Sequence, residues 1–88
     1  MLERPRRKPD FQLEALDGEL LIYHPTESTV VYCNQTASLI WHLCDGTLTT
    51  EEIGALLSAA YPEAATSIPA DVDATLRTLT QQQVIEWV

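Results

Sequence analysis

At Asn34 the hydrophobic period of this chain changes from two residues to between three and four, so a strand-rich N-terminal half must pack against a helical C-terminal half. Upstream, Phe11, Leu13 and Ala15 alternate with Gln12 and Glu14, the pattern of a half-buried strand. Asp17-Gly18 then separates this run from Glu19–His24. That dipeptide is a strong hairpin signal, because a type I′ turn needs positive φ at both central residues. Pro25 stops the second strand, Thr26-Glu27-Ser28 supplies another turn, and Thr29-Val30-Val31-Tyr32-Cys33 forms the third. An antiparallel meander of three strands is expected.

Downstream, Asn34 is a good N-cap, and Ala37, Ile40, Trp41 and Cys44 fall on one helical face, widened by Leu39 and Leu43. Asp45-Gly46 ends this helix, with Gly where a left-handed residue is wanted. Thr49-Thr50-Glu51-Glu52 is a capping box for a second helix with Ile53, Leu56, Leu57, Ala60 and Tyr61 on one face, stopped by Pro62. Ser67 is the expected cap of a third helix with Pro69 in its first turn and Ile68, Val72, Leu76 and Leu79 as its apolar stripe. Val84–Val88 reads as a short final strand. The fold class is therefore α+β, winged helix-turn-helix-like: a three-stranded antiparallel sheet, three helices and a short C-terminal strand.

At 88 residues the chain is one small domain, with 45% apolar residues to supply a core and too little mass to wall in a deep catalytic cavity. Its net charge of −8 is unevenly distributed. Arg4, Arg6, Arg7 and Lys8 lie beside Glu3 in the first eight residues, whereas Arg77 is the one base against twelve acids in the rest. With Pro5 and Pro9 among these bases, residues 1–10 read as a flexible basic arm on a domain spanning 11–88. An acidic body disfavours nucleic acid, which demands a basic face. The absence of a long apolar run excludes a membrane-spanning helix, and no apolar stretch follows the basic start as a secretory signal would require. A cytoplasmic protein with two unpaired thiols, Cys33 and Cys44, is expected.

No constellation for catalysis emerges. His24, Cys33, His42 and Cys44 match no zinc spacing, and residues 42 and 44 would point to different faces of a helix rather than form a nucleophile pair. The three glycines are isolated, so no nucleotide cradle is available, and Glu51 and Glu52 read as helix-capping acids. Trp41 and Trp87 read as packing residues. Neither a metal nor a cofactor is expected. What remains is the third strand, an edge strand in a sequential meander, without Pro, Lys or Glu to blunt it. The C-terminal strand or a second copy would cover such an edge; an extended peptide would dock on it.

The runs Leu20–Pro25, Val31–Ala37 and Ile40–Gly46, followed by Thr49–Ile53, resemble the PqqD-like family, the recognition elements for ribosomally made, post-translationally modified peptides. The resemblance spans Phe11 to Val88, with Asn34, Thr36, Ala37, Asp45 and Gly46 as its most specific residues; Gln82-Gln83 departs from the Lys-Gly turn common in the family. It implies a non-catalytic chaperone whose third strand accepts a precursor's leader peptide as an added strand beside the third helix. The leader is then presented to a modifying enzyme, frequently a radical SAM enzyme. On this chain the implied groove comprises Thr29, Val30, Val31, Tyr32 and Cys33 with Asp71, Thr75, Leu76, Thr78 and Leu79. Either a monomer or a homodimer fits. Val31→Pro is expected to remove an edge donor while sparing the fold. A winged-helix regulatory module acting through protein contacts or on DNA is the alternative, with the basic arm as its support.

Overall fold

The computed structural model describes residues 3–88, and its first helix begins at the period switch. Before it come β1 (Pro5–Arg7), β2 (Gln12–Leu16), β3 (Glu19–Tyr23) and β4 (Val30–Cys33). After it come α1 (Gln35–Leu43), α2 (Thr50–Ala60), a short 3-10 turn (Pro62–Ala64), α3 (Ile68–Gln81) and β5 (Ile85–Trp87). The expected meander forms as β2-β3-β4, all antiparallel. Asp17 and Gly18 both adopt positive φ, 52° and 82°, which closes the β2-β3 hairpin on the Leu16–Glu19 pair. At the next corner His24 Nδ1 accepts from the backbone N–H groups of Thr26 and Glu27, at 3.2 and 3.1 Å, and so holds the β3-β4 turn.

Strand register sets one face of the sheet against the helices. Leu13, Ile22 and Val31 lie side by side on it, with Ile22 fully buried among Ile40, Ile53, Val72, Leu76 and Leu79. Asn34 caps α1 by accepting from the N–H of Ala37 at 2.7 Å. The capping box of α2 is complete: Glu52 N–H donates to Thr49 Oγ1 at 3.2 Å, and Thr49 N–H donates to Glu52 Oε1 at 2.9 Å. Ser67 departs from expectation, because it is already helical (φ −90°, ψ −20°) and its hydroxyl donates back to Ala64 O. The preceding 3-10 turn carries the chain into α3, so no side-chain cap is formed.

The N-terminal segment is the larger departure. Residues read as a flexible arm form β1, which pairs antiparallel with β5 in the register Pro5–Trp87, Arg6–Glu86 and Arg7–Ile85. Pro5 is buried, Arg6 makes a 2.9 Å ion pair with Glu86, and the Arg7 guanidinium donates to the carbonyls of Trp41 and His42 at the end of α1. Helix C-termini attract cations through their unsatisfied carbonyls, so Arg7 is a C-cap supplied from a distant stretch of the chain. The N–H of Gly46, at φ 85°, donates to Pro5 O, and a Cβ there would meet the Arg6 side chain at 3.2 Å. The helix itself closes at Cys44, whose N–H donates to Trp41 O, and the glycine two residues on admits β1. Gln83 takes the left-handed conformation, φ 61°, at the turn into β5, where a glycine would adopt it without a steric cost.

Arg7→Ala tests this arrangement. The loss of charge-assisted bonds to two carbonyls is expected to lower the unfolding free energy in urea by about 1–2 kcal/mol, whereas a flexible arm would give no change.

Candidate functional site

The outer edge of β4 is where this fold leaves backbone groups unpaired. Among the described residues no strand pairs with it, since β5 is held by β1 in a separate ribbon. Which groups point outward follows from the ladder. His24 N–H donates to Thr29 O at 3.3 Å, and hydrogen-bonded and non-bonded pairs alternate in an antiparallel pair. The pairs Ile22–Val31 and Leu20–Cys33 therefore bond inward, and Val30 and Tyr32 present their N–H and C=O groups to the open edge. This corrects the expectation for Val31, whose N–H belongs to the sheet. Its side chain is 7% exposed, in contrast to 48% at Val30 and 70% at Tyr32.

Beside this edge runs α3, antiparallel to β4, and three cavities follow one another along it, two bordered by β4 and the third among the helices. The middle one, of about 220 Å³, is bounded by Val31, Tyr32, Cys33 and Asn34 on one side and Ala74, Thr75, Thr78 and Leu79 on the other, with Ala37 at its base. Thr29 and Val30 lie at an open cavity by the start of β4, together with Asp10, Phe11, His24 and Gln81–Gln83. Asp71 lies at the opposite end, on a third cavity of about 200 Å³ beneath Gln35 and Thr36. The structure thus gathers Val31, Tyr32, Cys33, Thr75, Thr78 and Leu79 and sets Thr29, Val30 and Asp71 at the two ends.

Leu76 does not belong to the groove. It is 2% exposed and sits on the other side of α3, against Thr50, Asp73 and Trp87. The apolar stripe of the helix faces the core, and the adjoining face, with small residues at 74, 75 and 78, faces β4. Sequence reading did not include Asn34, Ala37 or Ala74. Ala74, Thr75 and Thr78 carried a signal in their i, i+1, i+4 spacing beside Leu79, since short side chains there leave the space between an edge strand and a helix unfilled.

The thiols have no activating surroundings. Cys33 is pushed up by burial. Burial pushes Cys44 from its ordinary 9.0 up to about 12, outweighing the lowering by nearby Arg7, and its thiol donates to Ile40 O at 3.2 Å. Glu52 lies below the usual carboxylate range because of its hydrogen bonds with Thr49, which is its capping role. No cluster of three or more His, Cys, Asp or Glu side chains able to hold a metal occurs among the described residues, and no helix there is long and apolar enough to cross a membrane.

The family model of coenzyme PQQ synthesis protein D (PqqD) matches residues 19–85, well over half of the chain. The chain belongs to the PqqD family. The resemblance read from the Asn34–Gly46 block and its flanking runs is thereby borne out, as is the α+β fold of three-stranded sheet, three helices and C-terminal strand. Among solved structures the chain is similar to TbiB1, described as in complex with the TbiA(beta) leader peptide. The TM-score is 0.70 at 22% identity, covering 92% of this chain and 94% of that one. The comparison with curated proteins gave no match.

Two outcomes follow from this geometry. Val31→Pro is expected to destabilise the fold by about 2–3 kcal/mol in urea, because it leaves the inward-facing Ile22 carbonyl without its donor and removes buried methyls. Tyr32→Pro, at an outward donor, is expected to cost less than about 1 kcal/mol. In the native protein, alkylation by iodoacetamide should be slow at both thiols and slower at Cys44 than at Cys33. Only the thiolate reacts, and at Cys44 it is scarce until the pH nears 12. Peptide mass mapping of the labelled protein checks the order.

Proposed function

We propose that this chain is a non-catalytic peptide chaperone that takes the leader of a ribosomally made precursor as an added strand on β4 and presents it to a modifying enzyme, of the radical SAM class or another peptide-modifying class. The observation that carries this reading is the open edge of β4 beside α3. Val30 and Tyr32 offer it unpaired backbone groups, and the side-chain cavity of about 220 Å³ lies next to them. Strand addition divides recognition between two sources: main-chain hydrogen bonds give affinity, and pockets for alternate side chains give specificity. Family membership and the likeness to a fold solved with a leader peptide support the same reading.

The alternative, a winged-helix module on DNA, has less to support it in this geometry. Its basic arm is folded, with Arg6 on Glu86 and Arg7 on the end of α1. The exposed side of α3 carries Asp71 and Asp73, the latter paired with Arg77 at 2.8 Å. Such a helix repels phosphate.

The test is fluorescence anisotropy with a labelled leader from a short precursor reading frame encoded beside this chain. Saturable binding is expected, weakened about tenfold or more by Tyr32→Pro at unchanged circular dichroism. No saturable binding to any neighbouring leader, together with salt-sensitive binding of duplex DNA, would overturn the proposal.

A further inference from the structure

The third cavity along the groove lies beyond the reach of an added strand. It is formed where α1, α2 and α3 converge, with Leu39, Leu57, Tyr61 and Ile68 as its apolar walls. At about 200 Å³ it exceeds the roughly 150 Å³ of apolar cavity that holds a benzene ring. Two of these walls, Leu57 and Ile68, are core residues, at 6% and 4% exposure, whereas Tyr61 is 43% exposed at the end of α2. The cavity is thus an inlet from the surface into the core.

Its position ties it to the groove. Gln35 and Thr36, at its mouth, directly follow Asn34 of the middle cavity, and Asp71 stands one helical turn before Ala74 and Thr75. On the α3 side of β4, a chain leaving the edge past Cys33 therefore meets this inlet next, the wider cavity by Glu19 and Leu20 lying on the β3 side. The carboxylates at the opening are Glu63 and Asp71, and no Lys or Arg lines it. An apolar inlet with an acidic mouth selects a bulky apolar side chain accompanied by a cation.

Resting on the strand-addition reading above, we propose that the leader continues beyond its added strand and seats one aromatic or large aliphatic side chain in the Leu39–Leu57–Tyr61–Ile68 cavity, with an adjacent Lys or Arg at Asp71 and Glu63. The peptides this chain takes accordingly combine two elements: an extended segment with alternating apolar residues, and an apolar-plus-basic anchor at one end. The extended segment supplies generic affinity through the backbone. The anchor distinguishes this chain's leader from others of similar strand character, because an acidic partner residue at that position would meet two carboxylates in place of a cation.

The experiment selects binders to the full chain from a displayed library of random linear peptides and measures the enriched peptides, fluorescein-labelled, by anisotropy. Enriched sequences should carry the anchor outside their alternating segment. Thr36→Trp, at an exposed position on the mouth, should block the inlet and weaken binding about tenfold at unchanged melting temperature. Replacing the anchor residue of the peptide by Ala should give the same loss on the unaltered chain and little further loss on Thr36→Trp, which keeps the test valid should the Trp variant fold poorly. Asp71→Lys should remove the preference for a neighbouring Lys or Arg. If enriched peptides lose affinity with Tyr32→Pro but the anchor Ala substitution changes nothing, the inlet is not used, while strand addition stands. If no peptide is enriched, or Tyr32→Pro is without effect on those that are, both readings fall.

Discussion

The pairing of β1 with β5 decides what the rest of the fold can offer. A C-terminal strand that emerges from α3 has two places to go: the open edge of the meander, or a partner of its own. Pro5–Arg7 supplies that partner, fixed by the Arg6–Glu86 ion pair and by backbone bonds between Arg4 and Val88 in both directions. With β5 held there, the edge of β4 stays unpaired, and α3 lies beside it without closing over it. A four-residue strand is short enough to be a poor template for aggregation, and the neighbouring helix restricts what can approach, so the usual hazard of an exposed edge is limited by geometry rather than by charge.

The same pairing alters the meaning of the charge distribution. A cluster of four bases ahead of an acidic body reads as a free arm, yet two of them are committed to the fold. Arg6 neutralises Glu86, and Arg7 lies over the Trp41 ring at 5.4 Å while donating to the last carbonyls of α1. Arg7 also lowers the pKa of Asp45, behind the larger effect of its hydrogen bonds with Thr47. The effect is to tie residues 5–7 to β5 and the end of α1, while Lys8 lies with Asp10 and Glu27 at the cavity by the start of β4 and Asp71 stands at the opposite end.

What was legible in the sequence is what is decided within a few residues. The Asp17-Gly18 turn, the Asn34 cap and the reciprocal Thr49–Glu52 box are each complete within one turn of chain, and each is present as expected. β1 escaped because its partner lies some eighty residues away and because Pro5, buried here, looks like a strand breaker when read locally. At a strand's first residue Pro is permitted, since its missing donor can face away from the ladder. The candidate site divides on the same line. β4 and its edge position were readable from strand order, but the face of α3 that meets it was not. Leu76 and Thr75 are neighbours in sequence and some 100° apart around the helix, so one lies under the core and the other faces the strand. The ladder's phase had the same character. Whether Val31 or its neighbours bond outward is fixed by the Thr29–His24 bond at the turn, not by the composition of the strand.

This division bears on how the groove can change without loss of the fold. Outward backbone groups at Val30 and Tyr32 exist whatever the side chains there, so substitutions that keep β3 and β4 in register keep the capacity to pair a strand. On the helical wall of the middle cavity, Ala74, Thr75 and Thr78 lie outside the core cluster that holds Ile22, Ile40, Ile53 and Val72, whereas the inlet beyond it is walled by the core residues Leu57 and Ile68. Thr75 and Thr78 can therefore vary at little cost to stability, whereas Val31 and Leu79 serve core and groove at once and cannot. On the strand-addition reading, a generic edge with an adjustable wall lets such a module keep its means of holding a peptide while changing which peptide it holds.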